Sequence, residues 1–543
     1  MFKRVYSLLL PYERRKFFGV ALSVLLSSLL EFAGLAALLP LVFRLLAGDT
    51  PKDYAIMLCG GVLLFVLVKC GLTTLLSFYQ NRYLLNLYKR LSYTLYNNHF
   101  KRGLLFVRES GSVKLAQEIN YNCFAFGQNL LSPMLRIIAD LILALLVTVV
   151  MAVYEPLIVG LLYIAFIPFV LFYFFCIKRA VKRIGKQELQ AMQEQSKVVL
   201  ESFKGYSEIE VNGGYGIMEE RFVRGASTIV NSRLKLLTIM RLPAILSEVA
   251  IVIGLGILIY LKSDSAIEIF SVFAVAAFRL LPALRNVVMG WTQVNSAIPC
   301  LEIIEKGVEV QEGSEIEASP KIEFENSISI NNLEFKYPDG ERVIDGLNYK
   351  ILKGDYIGIR GVSGSGKSTL FNLLLGLLEP TSGSVLIDEN RLVKGNRDSW
   401  LRRVGYVAQD IFMVDGTLLE NVALGAGGQV VRERIVEALK RADLGEWMES
   451  LPQGIDTPMH ECGAIVSGGQ KQRIGIARAL YKGADVLLFD EATSALDNMT
   501  EERINATIAT LRKEIKGLTI LSIAHRDSSL SYCDKVLELD KIK

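Results

Sequence analysis

Eight consecutive residues near the middle of the chain have the types and the spacing of a loop that binds phosphate groups. The run from Gly361 to Ser368 fits the pattern G-x-x-x-x-G-K-[ST], between an apolar run at Tyr356 to Arg360 that predicts a strand and a segment at Ser368 to Leu378 that predicts a helix. Glycines let backbone N–H groups surround phosphates without a side-chain clash, and the helix N-terminus adds partial positive charge. We expect Lys367 to reach the β- and γ-phosphates of a nucleotide and Ser368 to hold Mg²⁺. The predicted nucleotide-binding residues of this loop are Gly361, Ser363, Gly364, Ser365, Gly366, Lys367, Ser368 and Thr369.

Other reactive side chains follow buried strands. Val486 to Phe489 is an unbroken apolar run, as expected of a buried parallel strand, and Asp490 and Glu491 follow it. Open α/β sheets place their chemistry at the carboxyl ends of the strands. We therefore expect Asp490 to bind Mg²⁺ through water and Glu491 to polarise the attacking water. The predicted strand Leu518 to Ala524 ends before His525, which we expect to contact the γ-phosphate, although a histidine after a strand is more often structural.

A second potential anion site lies at the predicted start of another helix. The segment Val466-Ser467-Gly468-Gly469-Gln470 stands shortly before the Asp490 strand and resembles the signature motif of ABC transporter ATPases, with Val466 in place of the usual leucine. The resemblance implies that two such chains pair head to tail. Ser467, Gly468, Gly469 and Gln470 of one chain would then close over ATP held by the phosphate loop of the other.

The same resemblance assigns roles to further positions. It implies that Tyr337 stacks on adenine, that Gln409 touches Mg²⁺ and senses the membrane part, and that Asp497 acts across the dimer. It also implies that Glu461 contacts cytoplasmic helices, although His460 and Cys462 replace the usual neighbours of that residue. ATP and Mg²⁺ are thus the expected cofactors, with Ser368, Gln409 and Asp490 as metal ligands. Two complete ATP sites in a homodimer are expected.

The 543-residue chain is long enough for more than one domain, and its apolar residues are concentrated in the first part. Hydrophobic residues make up 51% and charged residues 21% of the chain, and the net charge is only +4, which argues against a nucleic-acid partner. A membrane span needs about 20 apolar residues. Six stretches meet this length: 17–46, 54–79, 130–153, 155–177, 243–262 and 266–290.

The distribution of basic residues predicts the orientation in the membrane. Segments 80–129 and 178–242 are rich in Lys and Arg, whereas the opposite side offers only Lys52 and Lys262. By the positive-inside rule, both segments, both termini and the ATPase domain are cytoplasmic in a multi-pass protein of the plasma (inner) membrane. We predict an all-α six-helix transmembrane domain at 1–305, a linker at 306–320 and an α/β P-loop ATPase domain of ABC type at 321–543. By similarity to exporter-type half-transporters, short coupling helices are expected near 103–120 and 201–217.

The substrate is less well defined by the sequence. Arg279 lies inside the predicted sixth span, three residues before Pro282, and an arginine beside a helix kink suits a phosphate or pyrophosphate. This stretch and Leu29 to Val42 resemble bacterial exporters that flip polyprenyl-linked oligosaccharides. Three hypotheses follow: an ATP-driven flippase or exporter of a lipid-linked glycan or other amphiphile, a peptide or drug exporter, and a regulatory ABC protein without active transport. The complete catalytic set argues against the third.

Overall fold

The chain divides into two compact units, Met1–Gln311 and Glu312–Lys543. A computed structural model describes most of both units. The described residues are 1–36, 52–154, 156–261, 282–309, 320–338, 340–426, 428–459, 466–491, 498–524 and 526–539.

The described part of the N-terminal unit is helical throughout. Its helices are α1 (Phe2–Ser7), α2 (Pro11–Ala36), α3 (Lys52–Lys101), α4 (Leu104–Ser110), α5 (Ser112–Gln117), α6 (Cys123–Ala125), α7 (Ser132–Tyr154), α8 (Pro156–Lys204), α9 (Tyr206–Val211), α10 (Tyr215–Leu261), α11 (282–296) and α12 (Ile298–Val308). Two π-helical segments, Glu118–Asn122 and Phe126–Leu131, flank α6.

Helices occupy the described portions of all six predicted spans. In the part of the chain that the structure describes, two helical stretches are long and apolar enough to cross a membrane, Cys59–Lys101 and Ser112–Val149. The spans at 17–46 and 266–290 extend beyond the described residues, so the count of six stays a prediction. The long helices α3 and α8 continue well past their apolar portions. Short helices α4, α5 and α9 lie where coupling helices were expected.

An apolar stripe on α3 lies in a hydrophobic core cluster formed by described residues of this unit. Leu87, Leu91 and Leu95 recur at the spacing of one helix face and are 2% exposed or less. They cluster with Leu301 and Ile304 of α12. Because this packing extends along α12, the helix runs to Val308, into the stretch where we predicted a linker.

The described part of the C-terminal unit contains two larger sheets and a two-stranded pair. Its strands are β1 (Ser327–Lys336), β2 (Arg342–Leu352), β3 (Tyr356–Arg360), β4 (Ser382–Ile387), β5 (Asn390–Arg391), β6 (Val404–Val407), β7 (Gly416–Thr417), β8 (Pro458–Met459), β9 (Val486–Asp490), β10 (Thr519–Ile523) and β11 (Lys535–Glu538). One sheet is antiparallel with the order β2-β1-β4-β5, and the other is parallel with the order β11-β3-β10-β9-β6. Every residue of β9 is buried, as its apolar sequence predicted.

The helices of this unit cover the parallel sheet and connect its strands. They are α13 (Lys367–Leu374), α14 (Arg397–Leu401), α15 (Leu418–Val422), α16 (Arg432–Arg441), α17 (Gly445–Ser450), α18 (Gly468–Lys482), α19 (Asn498–Glu514) and α20 (Asp527–Leu530), with a 3-10 turn at Gly454–Asp456. The predicted extent of α13 to Leu378 is wrong. Gly376 adopts a left-handed conformation with φ of 66°, and the N–H groups of Leu377 and Leu378 return to the carbonyl of Asn372.

Candidate nucleotide site

The phosphate loop connects the end of β3 to the start of α13. Gly364 and Gly366 have φ of 80° and 94°, values that L side chains rarely adopt, so this path requires glycine. The ammonium group of Lys367 donates to the loop's own carbonyls, to Gly361 at 3.0 Å and to Val362 at 3.1 Å. Ser365 is buried, and its Oγ has no hydrogen-bond partner among the described residues. A phosphate oxygen is the kind of group that would satisfy such a buried hydroxyl.

Three neighbouring strands end at the same edge of the sheet as the phosphate loop. In the parallel register, Asp490 of β9 pairs with Ile523 of β10, and Ile523 pairs with Ile359 of β3. This alignment brings Asp490 beside α13, where the Ser368 hydroxyl donates to its Oδ1 at 3.0 Å. The predicted pair of magnesium ligands, Ser368 and Asp490, is therefore in direct contact.

The electrostatics of Asp490 reflect its position inside the sheet edge. The residue is 7% exposed, and this burial raises the pKa of its carboxyl above the usual 3.8. Hydrogen bonds from Tyr406, at 2.9 Å, and from Ser368 oppose the rise in this pKa, as does the charge of Lys367. A buried carboxylate whose negative charge is only partly compensated by its neighbours is suited to bind a divalent cation.

Glu491 has an unusual backbone conformation. Its φ is 50°, in the left-handed region that non-glycine residues seldom occupy, and the residue is half-buried. Strain of this type is found at sites where the surrounding structure fixes a functional side chain.

Two other predicted residues lie next to this centre. The hydroxyl of Tyr337 is 3.1 Å from Oγ1 of Thr369 in the first turn of α13, and its ring packs edge-on against Phe335. Gln409 is exposed two residues beyond β6, the strand that pairs with β9. Its backbone carbonyl accepts a 2.8 Å hydrogen bond from the side chain of Gln472 in α18.

The signature segment forms the N-terminus of α18. Ser467 is the N-cap, and it makes a reciprocal capping box with Gln470: the Gln470 N–H donates to Ser467 Oγ at 3.3 Å, and the Ser467 N–H donates to Gln470 Oε1 at 2.8 Å. Ser467 and Gly468 are exposed, whereas Gly469 is buried against α19. A Cβ at Gly469 would lie 2.6 Å from Cγ2 of Thr500. The segment is therefore an exposed helix start whose position depends on a close approach of two helices.

Several predicted residues lie outside the described residues. They are His525, Asp497, Arg279, Glu461, His460 and Cys462.

Two polar residues at the site were missed by the sequence reasoning. Tyr406 bonds to Asp490 from the neighbouring strand β6, and Gln472 connects α18 to the loop of Gln409. The sequence contains one indication of the role of Tyr406. It is a tyrosine in an otherwise apolar strand, and that strand pairs with β9, so its hydroxyl lies near Asp490. Gln472 belongs to no motif.

The fold and this edge of the sheet define a P-loop ATPase with an ABC-type signature helix. Residues 344–494 match the ABC transporter family. Curated relatives include the ATP-dependent lipid A-core flippase of Bordetella avium (strain 197N), 32% identical over 381 residues that cover 67% of this chain and 62% of that protein. The flippase of the same name from Ralstonia nicotianae is 26% identical over 499 residues, 89% of this chain and 82% of that protein.

A solved structure extends the similarity to the whole fold. A bacterial Atm1-family ABC exporter with ATP bound superposes with a TM-score of 0.81 at 24% identity, covering 97% of this chain and 94% of that one. Residues 344–494 thus form an ABC transporter ATPase domain, and the fold of the chain is similar to that of an exporter with a helical unit before its ATPase domain. The alignment with the Bordetella avium flippase spans only about three fifths of that protein, 62%.

Proposed function

We propose that this protein is an ATP-driven exporter or flippase that works by alternating access as a homodimer. The observation that carries the proposal is the contact between Ser368 of the phosphate loop and Asp490 at one sheet edge. The other unit of the chain contains, among its described residues, two helical stretches long and apolar enough to cross a membrane. ATP binding would close two copies of the C-terminal unit, and hydrolysis would reset them. Shifting a gate from 1:99 to 99:1 takes about 5.5 kcal/mol of differential binding, which two ATP sites can supply.

The residues present fit a magnesium ion. Ser368 and Asp490 supply a hydroxyl and a carboxylate oxygen 3.0 Å apart, the hard donors that Mg²⁺ prefers. Gln409 would add an amide oxygen from the loop beyond β6. Bound Mg²⁺ would neutralise charge on the phosphates.

Each remaining residue has a proposed task at the nucleotide. Lys367 would exchange its present bonds to the loop carbonyls for bonds to phosphate oxygens. Glu491 would accept a proton from the attacking water, and His525 would contact the γ-phosphate. Tyr337 would stack on adenine, and Ser467 and Gly468 of the second copy would cover the nucleotide with Asp497 close by.

The proposed location is the plasma (inner) membrane, with both termini and the ATPase unit in the cytoplasm. The basic segments 80–129 and 178–242 support this orientation. The proposed substrate is a lipid-linked glycan or a related amphiphile. The names of the flippase relatives support that class, and Arg279 is the proposed contact for a substrate phosphate.

The ATPase proposal is tested by comparing two glutamate substitutions in the purified full chain. Glu491→Gln should lower ATP turnover at least about 100-fold, because it removes the proposed proton acceptor. Glu389→Gln, at an exposed position in the same unit, is the matched control and should retain turnover. Near wild-type turnover in Glu491→Gln would contradict the assigned role.

The substrate proposal needs vesicles and a choice of transported compounds. A lipid-linked oligosaccharide should stimulate ATPase activity and cross the bilayer only with ATP, and Arg279→Ala should lose both effects while the exposed control Arg241→Ala keeps them. If only peptides or drugs stimulated the ATPase activity, the protein would be a peptide or drug exporter instead. ATP hydrolysis without movement of any compound would favour a regulatory ABC protein.

A further inference from the structure

A small cavity lies between α2 and α3 at the level where both helices change from apolar to charged. Its volume is about 230 Å³, and its walls include Tyr12, Lys16, Tyr79, Arg82 and Asn86. In α2 no charged residue follows Lys16 until Glu31, and in α3 Arg82 is the first charged residue after Lys69. The cavity therefore opens where the predicted spans 17–46 and 54–79 reach the cytoplasmic membrane surface.

Close contacts hold the two helices in register beside this cavity. The Tyr83 hydroxyl donates to the Glu13 carbonyl at 3.3 Å. One turn away, a Cβ at Gly19 would lie 3.1 Å from the Tyr79 hydroxyl, so the helices approach closely there. The cavity is thus formed by packed helices rather than by a loose surface cleft.

The cavity carries a net positive charge from its described wall residues. Glu13, its acidic wall residue, is 5% exposed and already accepts bonds from Arg90, at 3.1 and 2.7 Å, and from the N–H of Leu10 at 3.0 Å. Within the described ranges, neither Lys16 nor Arg82 has an ion pair, and both are exposed. Lys16 lies over the ring of Tyr12, 5.9 Å from its centroid.

Two basic groups that have no ion pair among the described residues, in a cavity also lined by tyrosines, match the phosphodiester of a lipid headgroup. Tyrosine is enriched at membrane surfaces, where its ring faces the acyl boundary and its hydroxyl faces water. Basic pockets between helices on the cytoplasmic side suit anionic headgroups. We propose that this cavity binds the headgroup of an anionic phospholipid of the cytoplasmic leaflet, with Lys16 and Arg82 as the phosphate contacts. The inference rests on the proposed function only for the membrane orientation.

Binding is tested with the full chain in detergent, titrated with phosphatidylglycerol and, separately, phosphatidylcholine, and followed by native mass spectrometry without ATP. Wild type should bind phosphatidylglycerol roughly 25-fold more tightly than phosphatidylcholine, since each of the two basic side chains contributes roughly a factor of five at an anionic lipid surface. The double variant Lys16→Gln with Arg82→Gln should lose this preference. The pair Lys16→Arg with Arg82→Lys should keep it within about threefold, which separates loss of charge from loss of folding.

The matched control removes the same charge from the same two helices. Arg15→Gln with Lys89→Gln changes exposed residues that do not line the cavity, and it should retain the preference. The proposal would be overturned if both charge-removing double variants lost the preference for phosphatidylglycerol equally. It would also be overturned if Lys16→Gln with Arg82→Gln kept that preference. If millimolar sn-glycerol 3-phosphate displaced the lipid, the ligand of the cavity would be a soluble phosphate compound, and the proposal of a lipid ligand would be overturned. Because the assay needs no ATP hydrolysis, failure of the proposed transport would not affect its result.

Discussion

The hydroxyl of Ser368 donates a hydrogen bond to Oδ1 of Asp490 across 3.0 Å, although 122 residues separate them in the chain. The bond joins the first turn of the helix after the phosphate loop to the end of a buried strand. It exists because β3, β10 and β9 are parallel neighbours whose carboxyl ends are aligned. This contact places the two proposed magnesium ligands together before any nucleotide is considered.

The first prediction concerns the charge of Asp490. Asp490→Asn should raise the thermal unfolding midpoint in EDTA by about 1–3 °C, because burial raises the pKa of Asp490 and the folded chain disfavours its charge. The amide oxygen can accept from one of the two hydroxyls of Ser368 and Tyr406, and the amide N–H can donate to the other. The same variant should lose stabilisation by Mg²⁺ and ATP and lose ATP turnover at least about 100-fold.

The pH dependence of this effect has a definite sign. A carboxyl whose folded pKa is raised contributes stability below its unfolded pKa, near the usual 3.8, and loses that contribution as pH rises through the folded value. The advantage of Asp490→Asn in EDTA should therefore be present at pH 7 and shrink toward pH 4. The exposed control Asp398→Asn should show no such trend. A constant or reversed difference would contradict the electrostatic account.

The second prediction uses the left-handed backbone of Glu491, whose φ is 50°. Asparagine tolerates this conformation better than glutamine. Glu491→Asn should therefore be more stable than Glu491→Gln by about 0.5–1 kcal/mol in denaturant unfolding, while both lack ATP turnover. Equal stability of the two variants would show that the conformation is not strained in solution.

The third prediction addresses the close approach of α18 and α19. Gly469→Ala should disturb the start of α18, because the added methyl would lie 2.6 Å from Cγ2 of Thr500. Thr500→Ser removes that Cγ2 and keeps the hydroxyl. The double variant should recover at least half of the stability and ATP turnover that Gly469→Ala loses. Absence of any rescue would assign the effect of Gly469→Ala to something other than this contact.

The fourth prediction tests the network that fixes α18 on the loop after β6. Arg478 donates to the carbonyls of Asn421, at 2.6 Å, and Phe412, at 2.7 Å, and to Asn421 Oδ1 at 3.0 Å. Burial lowers the pKa of Arg478 to about 10, so its guanidinium remains charged at neutral pH. Arg478→Lys cannot reproduce the fork and should destabilise the unit by about 2–3 kcal/mol in denaturant unfolding. Arg441→Lys, which keeps an exposed pair with Glu437, should change stability by less than about 0.5 kcal/mol.

The sequence predicted those parts of the site that depend on local pattern. The extent of β3, the buried character of β9 and the place of Asp490 at its end follow from apolar runs and a glycine-rich turn. The contacts of Tyr406 and Gln472 depend on strand register and helix placement, which no local pattern specifies. The early end of α13 depends on the left-handed Gly376, and the residue type of Glu491 does not indicate its left-handed φ.

The most direct test of the account is disulfide formation between Ser363→Cys of one copy and Ser467→Cys of another. The measurement uses the full chain with Glu491→Gln, after the native cysteines have been replaced, and single-cysteine variants as controls. The account predicts a cross-linked dimer with ATP and Mg²⁺, little with ADP, and none in the single variants. A yield of cross-linked dimer that does not depend on ATP would contradict the claim that the nucleotide joins two copies of the C-terminal unit.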